Sequence, residues 1–491
     1  MKRKLLYILF FIVTTAQAQI TEIGETLYGT RGGQWFGFSL STSSDGKRIV
    51  VGNPTERTSG FVQVFEKVSG DWVQVGDDIQ SILEDEISDL GSGLSVSTNS
   101  NGTIVAFGTP SRRNEENLFR AGQVRIYKEQ AGNWIKVGND INGEAEEDYL
   151  GSSISLSSDG NTIAIGVPEN DDNGVNSGKV IIYRNIEGTW TQMGNDINGK
   201  IAYQFLGRSV QLSADGTTLV AGGPGSFNQD ILGKAYVYQY IEDVWKQIGT
   251  DLEGTYTGAG FGTSVSINNN GTIAAVGSPF GSRVLVYKYG NNTWELVGDV
   301  IKVGWNNSFG FAISLNNSGN MLAIGAPYEN GPPTQIGMVQ VYEKNDDSWI
   351  QIGDDIYGTS EYDQLGSAVS FNADGDVLAV ATPYSNENGD NSGDVQIFQV
   401  EGNILNVDEY ASISTSFQIF PNPTSNELNI SVVDKAIKKI ELYDIKNSLI
   451  QEITTNTTTN VLDFSSLYRG IYLLRITLDD GTEIIKKVVK K

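Results

Sequence analysis

Acidic and aromatic side chains crowd a few irregular stretches of this sequence, and through them it could do chemistry. Carboxylates cluster at Glu84, Asp85 and Glu86 and again at Glu144, Glu146, Glu147 and Asp148. Aromatic residues occur in comparable stretches at Trp35, Tyr149, Tyr203, Tyr256, Trp305 and Tyr362. Rings stack on the apolar faces of sugars and acids accept hydrogen bonds from hydroxyls. Trp35, Asp148, Tyr149, Tyr203, Tyr256, Trp305 and Tyr362 are therefore the candidate ligand-binding residues, for a glycan or a protein. A suitably spaced pair of carboxylates could instead cleave a glycosidic bond. Other chemistries are excluded, because none of the 491 residues is His or Cys. That removes Ser-His-Asp triads, Cys-His pairs, His-bound zinc and imidazole proton transfer. No catalytic motif stands out, and the chain reads as a non-enzyme.

The net charge is -25 and the isoelectric point about 4.4. Such a surface repels phosphate backbones and anionic lipid heads, so nucleic acid is not a partner. The runs Asp171-Asp172-Asn173-Gly174 and Asn386-Glu387-Asn388-Gly389-Asp390-Asn391 lack the spaced oxygen ligands of a calcium loop. They read as turns. No cofactor is expected, and weak Ca2+ binding stays open.

The elements that must position these residues repeat. Phe309 to Pro327 opens on Phe-Gly, alternates apolar with small polar residues, turns at Gly319, runs apolar again and closes on Gly325-Ala326-Pro327. Six other stretches read alike, closing at Pro54, Pro110, Pro168, Pro224, Pro279 and Pro383, so that successive prolines lie 48 to 58 residues apart. A period of this size marks one supersecondary unit that must stack on its neighbours. Each unit reads as four strands. In the third, these are Ser153 to Ser157, Ile163 to Gly166, Lys179 to Tyr183 and Trp190 to Gly194, with a Ser158-Asp159-Gly160-Asn161 hairpin turn between the first two.

The fourth-strand pattern Trp-x-x-x-Gly-x-x-(Ile/Leu) occurs six times, from Trp72 to Trp349, and its missing copy lies at the other end of the chain. Ile20 to Gly29 aligns with Trp349 to Gly358, with Ile20 in place of the Trp. A linear stack has no reason to be permuted in this way. A ring has one, because the amino-terminal strand then completes the last sheet and removes exposed edges. The reading is all-β: a seven-bladed β-propeller over 19–400, in which the Trp residues pack outer strands on the next blade. The Phe309-Gly310 and Gly325-Ala326-Pro327 pair resembles the FG-GAP repeats of integrin α-subunits. Phe36-Gly37 and Phe261-Gly262 repeat the opening, and elsewhere it reads as Leu-Gly. Members of that family often hold Ca2+ in the first hairpin loop. Here that loop is too short and too poor in carboxylates, so those sites are not carried over.

At the other scale, Lys2 to Lys4, the apolar run Leu5 to Val13 and Ala16-Gln17-Ala18 have the form of a cleaved signal peptide, 1–18, too short to span a membrane. With no cysteine, the exported protein has neither disulfides nor an acylation site. A polar linker, 401–416, leads to a unit of six or seven short strands that suits a small Ig-like β-sandwich over 417–491. That unit carries Phe420-Pro421-Asn422-Pro423, Glu441-Leu442-Tyr443-Asp444, Tyr468-Arg469-Gly470-Ile471-Tyr472-Leu473 and a closing Lys490-Lys491. It resembles the C-terminal sorting domain of the bacterial type IX secretion system. The resemblance implies the type IX machinery as a partner and a destination outside the cell or on the outer surface of a Gram-negative bacterium.

Connections from second to third strand, and from one unit to the next, are the long ones and share one face. The expectation is a monomeric surface binding module, adhesin-like. A carbohydrate-active enzyme with paired carboxylates and a structural component of a surface assembly are the alternatives.

Overall fold

A Ser-x-Asp-Gly turn needs a left-handed backbone at its glycine and a side chain to hold the free N–H groups. The third unit has both: Gly160 has φ +72, and Ser157 Oγ accepts from the N–H of Thr162 at 3.0 Å. A computed structural model describes residues 19–55, 60–80, 93–114, 116–304, 308–328, 335–346, 348–402, 417–420, 424, 426–432, 435–444, 449–479 and 483–491. The signal segment, most of the linker, Glu84 to Glu86 and Trp305 lie outside the described residues. The chain divides into two compact units, one within 17–402 and one within 403–491.

In the first unit the third repeat forms a four-stranded antiparallel sheet, Ser153–Leu156, Thr162–Val167, Lys179–Ile186 and Thr189–Gln192. The short strand Ile197–Asn198 folds back onto the third strand. Every residue of Thr162–Val167 is buried, as a run without alternation implies. Among the described residues seven sheets of this plan follow one another. The last is Ala368–Phe371, Val377–Thr382 and Asp394–Glu401, and its outer strand is Gln19–Glu22 from the other end of the chain, with Ile20 opposite Val400.

An innermost strand has one row of N–H groups that its own sheet cannot pair. Here the neighbouring sheet pairs one of them. The N–H of Thr98 donates to Ser41 Oγ, Leu156 to Ser97, Leu212 to Ser155, Ile267 to Gln211, Leu315 to Ser266, Phe371 to Ser314 and Thr42 to Ser370, all at 2.9 to 3.1 Å. The small polar residues of the alternating strands thus link each sheet to the next, and the last bond returns to the first sheet. A second circuit of backbone bonds runs through the turns, from Ser44 N to Ser100 O onward until Ala373 N reaches Ser44 O.

The two glycine signatures of the repeat meet in one contact. A methyl on Gly166 would lie 1.9 Å from the carbonyl oxygen of Gly207 in the next repeat, and the same approach recurs between Gly108 and Gly151 and between Gly222 and Gly262. Gly37, Gly93, Gly151 and Gly207 all take φ between +86 and +91. Gly93 therefore fills this place in the second copy, so the residue before it is Ser92 and the expected Leu-Gly is absent there. At the closure Ala381 replaces the usual glycine, its Cβ 3.1 Å from a methyl position on Gly37.

The outer tryptophans span neighbouring sheets, as their period implies. Trp134, Trp190, Trp245 and Trp294 donate their indole N–H to Val75, Val137, Met193 and Ile248 at 2.8 to 3.1 Å. Ile20 occupies the equivalent place over Gly353. Apolar clusters fill each space between sheets, for example Ile154, Leu156, Ile163, Ile165 and Trp190 with Val124 and Ile126 of the preceding sheet.

The described residues of the C-terminal unit form two sheets, Phe417–Phe420, Glu427–Val432 and Thr459–Asp463 in one, and Leu449–Thr457, Ile437–Asp444, Gly470–Leu478 and Glu483–Lys490 in the other. Leu428, Ile430, Ile440, Leu442, Phe464 and Leu474 share one core.

Candidate functional site

A loop that leads into a sheet must turn sharply before its Phe/Leu-Gly, and the described ones do so by the same means. The residue just before that pair is left-handed: Trp35, Tyr149, Phe205, Ser308 and Gln364 have φ between 52 and 57. Two positions earlier Glu147, Tyr203 and Tyr362 are left-handed as well, at 61, 59 and 67, and Gly33 and Gly258 stand there in other copies. Non-glycine residues rarely adopt this conformation. Its recurrence makes it a property of the loop. In three copies a buried polar side chain between the two left-handed residues caps the turn. Gln34 accepts from Thr30 N–H at 2.8 Å, Gln204 from Lys200 N–H at 2.6 Å and Asp363 from Ser360 N–H at 2.8 Å.

These loops lie beside the second-to-third loops of the preceding sheet, as expected. Trp35 N–H donates to Asn391 O, Tyr149 to Arg120 O, Phe205 to Asn176 O and Gln364 to Gln335 O, at 3.0 to 3.1 Å. One face of the unit therefore carries both sets of long loops, and the sequence-derived candidates are spread around it. Trp35 is half-buried, its ring centroid 6.3 Å from Phe38 and 6.4 Å from Tyr384. Tyr149 is half-buried, and its hydroxyl accepts from Arg120 Nη1 at 2.7 Å. Tyr203 is half-buried and Tyr362 is 56% exposed. Asp148 takes the place between the two left-handed residues of its loop. It is 4% exposed, its Oδ2 accepts from Asn170 Nδ2 at 3.1 Å, and burial raises its carboxyl above the usual range. Because each loop serves a different sheet, the candidates do not converge on one pocket. A cavity of about 160 Å3 does lie between the innermost strands, lined by Ser41, Ser97, Ser155, Gln211, Ser314 and Ser370, at the end with the short turns.

One cluster on the long-loop face is exposed. Phe227 is 74% and Phe280 68% accessible, and Tyr256, one of the sequence candidates, 39%. They flank one loop: a methyl on Gly258 would lie 2.5 Å from the Phe227 ring, and one on Gly260 2.8 Å from the Phe280 ring. The Arg283 guanidinium sits 5.6 Å over the Tyr256 ring and donates from Nε to Gly281 O at 3.0 Å. Large apolar side chains gathered in water mark contact surfaces. Sequence reasoning missed Phe227 and Phe280. The available signal was a Phe set among Gly225, Ser226 and Asn228 with no apolar neighbour in the chain.

The carboxylates of this face differ in burial. Glu144, Glu146 and Glu147 are exposed and Glu146 accepts from Phe119 N–H at 3.4 Å. Asp394 is 5% exposed, and burial pushes its carboxyl up to about 6, with Asp363 and Glu387 adding to the rise. Among the described residues, no three Asp or Glu side chains come together closely enough to hold a metal ion by themselves. The Asn-rich runs form turns: Asn176 N–H donates to Asp171 Oδ1 and Asn391 N–H to Asn386 Oδ1, both at 2.7 Å.

Two protein families match parts of the chain. The FG-GAP repeat family matches residues 142–183, and the secretion system C-terminal sorting domain matches residues 418–491. The chain carries both. The sorting domain marks proteins that the type IX machinery delivers to the surface or exterior of Gram-negative bacteria, and that is where this protein is found. Among solved structures, the WD40 repeats of RRP9 are similar at 12% identity, covering 78% of this chain and 100% of that one, with a TM-score of 0.50. The β-propeller domain of Myceliophteria thermophila Cps50 (Swd1) is similar at 11% identity, covering 78% and 99%, with a TM-score of 0.49. The RRP9 likeness shows the fold, an all-β propeller. An endo-acting ulvan lyase of Formosa agariphila is 26% identical over 88 residues, 18% of this chain. The chain spans about 17% of that relative's length.

Proposed function

We propose that this chain is a secreted or surface-displayed binding protein, adhesin-like and monomeric, that presents the long-loop face of a closed seven-bladed propeller to a glycan or protein ligand. Residues 1–18 are its cleaved signal peptide, 19–400 the propeller, 401–416 a linker, and 417–491 an Ig-like sorting domain. The observation that carries this reading is the exposed cluster of Phe227, Tyr256 and Phe280 on loops held by a rigid scaffold. Aromatic platforms with a neighbouring guanidinium suit the apolar faces and hydroxyls of a sugar chain, or an apolar protein patch. Tyr362 extends the same chemistry around the face, Trp35, Tyr149 and Tyr203 lie on loops of the same kind, and Trp305 is proposed with them from the sequence alone.

Arrays of polysaccharides and matrix proteins, probed with the full chain, test the proposal. Binding is expected, and Phe227→Ala, Tyr256→Ala or Phe280→Ala each weaken it about tenfold, or about 1.4 kcal/mol. No ligand on either array, or affinity unchanged in the triple variant, counts against it. A second reading, polysaccharide cleavage, has the likeness to the ulvan lyase in its favour. Incubation with ulvan and release of unsaturated uronate ends would support that reading over simple binding.

A further inference from the structure

The third sheet has a cation built into it. Lys179 opens its third strand and is 4% exposed, with its Nζ 2.8 Å from Asp172 and 3.8 Å from Asp196. Asp148, held by Asn170, lies within its electrostatic reach. The seventh sheet repeats this loop at equal length, Pro383 to Asp394 against Pro168 to Lys179. The frame is also the same. Gly393 N–H donates to Ser385 O at 3.0 Å, as Gly178 does to Asn170 O at 2.9 Å. Asn388 Nδ2 donates to Gly29 O at 2.9 Å, as Asn173 does to Gly199 O at 2.6 Å.

Inside that common frame three residues change together. Thr382 stands where the third sheet has Val167, Ser385 where it has Asn170, and Asp394 where it has Lys179. A methyl-bearing side chain, an amide and an ammonium become a hydroxyl, a second hydroxyl and a carboxylate. Asp363 keeps the place of Asp148, and Glu387 that of Asp172. Thr382 and Asp394 are direct cross-strand partners, so their side chains leave one face of the sheet together. They are 2% and 5% exposed, yet Thr382 Oγ1 and Asp394 Oδ1 make no well-formed hydrogen bond, and only the Ser385 and Thr382 hydroxyls lie close enough to favour the charged carboxylate. A buried carboxylate faced by hydroxyls and further carboxylates but by no positive charge is costly, and a cation removes the cost.

We propose that Asp394, Thr382, Ser385 and Asp363 form an oxygen-lined site for a hard divalent cation, Ca2+ by ligand chemistry, in the place the Lys179 ammonium takes in the third sheet. Ca2+ accepts mixed carboxylate and neutral oxygen ligands in flexible geometry, completed by water. Glu387 contributes charge from the rim. Asp394 also pairs with Tyr28 of the amino-terminal segment, so the ion pins the loop where the two chain ends meet.

The test is a calorimetric Ca2+ titration and a thermal melt of the full chain, first stripped with EDTA. Ca2+ is expected to bind and to raise the unfolding midpoint, and Asp394→Asn to abolish that rise. Asp394→Lys, which writes the third sheet's cation into the seventh, is expected to raise the midpoint in EDTA and to remove the Ca2+ increment. Thr382→Val keeps the shape of the side chain and is expected to weaken Ca2+ at least tenfold; a merely structural Thr382 leaves the titration unchanged. No Ca2+ response in the wild type, or an equal response in the Asp394 and Thr382 variants, overturns the proposal.

Discussion

Asp148 shows why a residue's type does not fix its role. In the sequence it closes an acidic run beside Tyr149, which is how a sugar-binding carboxylate would look. In the fold it lies between two left-handed residues, buried, with Asn170 donating to it. Burial raises its carboxyl above the unfolded value, against the pull of Asn170 and Lys179. A raised carboxyl favours the folded state below the unfolded value of about 4, and this gain is lost as pH rises through the folded value. Asp148→Asn keeps an oxygen acceptor and removes the charge. It is therefore expected to raise the unfolding midpoint at pH 7, by a few degrees at most, and to leave it unchanged near pH 3. Melts of both proteins across that range check this, and ligand affinity is expected to be unaffected. Phe227 and Phe280 teach the converse. Nothing in the repeat calls for them, so nothing in its period revealed them.

At the scale of elements, the repeat was legible because each of its letters answers a contact made many times over. The alternating serines accept N–H groups from the next sheet, and the glycines of Gly-x-Pro and Phe/Leu-Gly let two backbones touch. Gly166→Ala puts a methyl against the Gly207 carbonyl, which is backbone and cannot swing aside. That substitution is expected to cost about 2–4 kcal/mol in chemical denaturation, with the sheet spacing disturbed on both sides. An unaltered midpoint would mean that the two glycines are not in contact in solution. The lead-in loops were less legible. Their length and face followed from the connection pattern, but the left-handed geometry at Trp35, Tyr149 and Tyr203 did not, since glycine marks it in only some copies. The second copy was misaligned for a related reason: the contact requires only the glycine, and Ser92 can precede it as well as Leu.

For the whole molecule, the permuted chain carried the most information. Ile20 was recognisable as the partner of a missing Trp only because the rest of the fourth-strand pattern surrounds it, and it does lie over Gly353. Pairing Gln19–Glu22 with Asp394–Glu401 joins residues almost 400 positions apart and covers an edge that the last sheet would otherwise expose. The ligand was not legible, because loops that differ between copies carry it. The protein has no native cysteine, so a designed pair reports on closure without interference. Thr21 and Gln399 are direct cross-strand partners, and antiparallel neighbours fall within the span a disulfide needs. The decisive measurement is oxidation of the Thr21→Cys, Gln399→Cys variant, followed by electrophoresis and a thermal melt. A closed ring predicts a monomer with an intramolecular bond and a raised unfolding midpoint; free thiols, or dimers linked between chains, would contradict it.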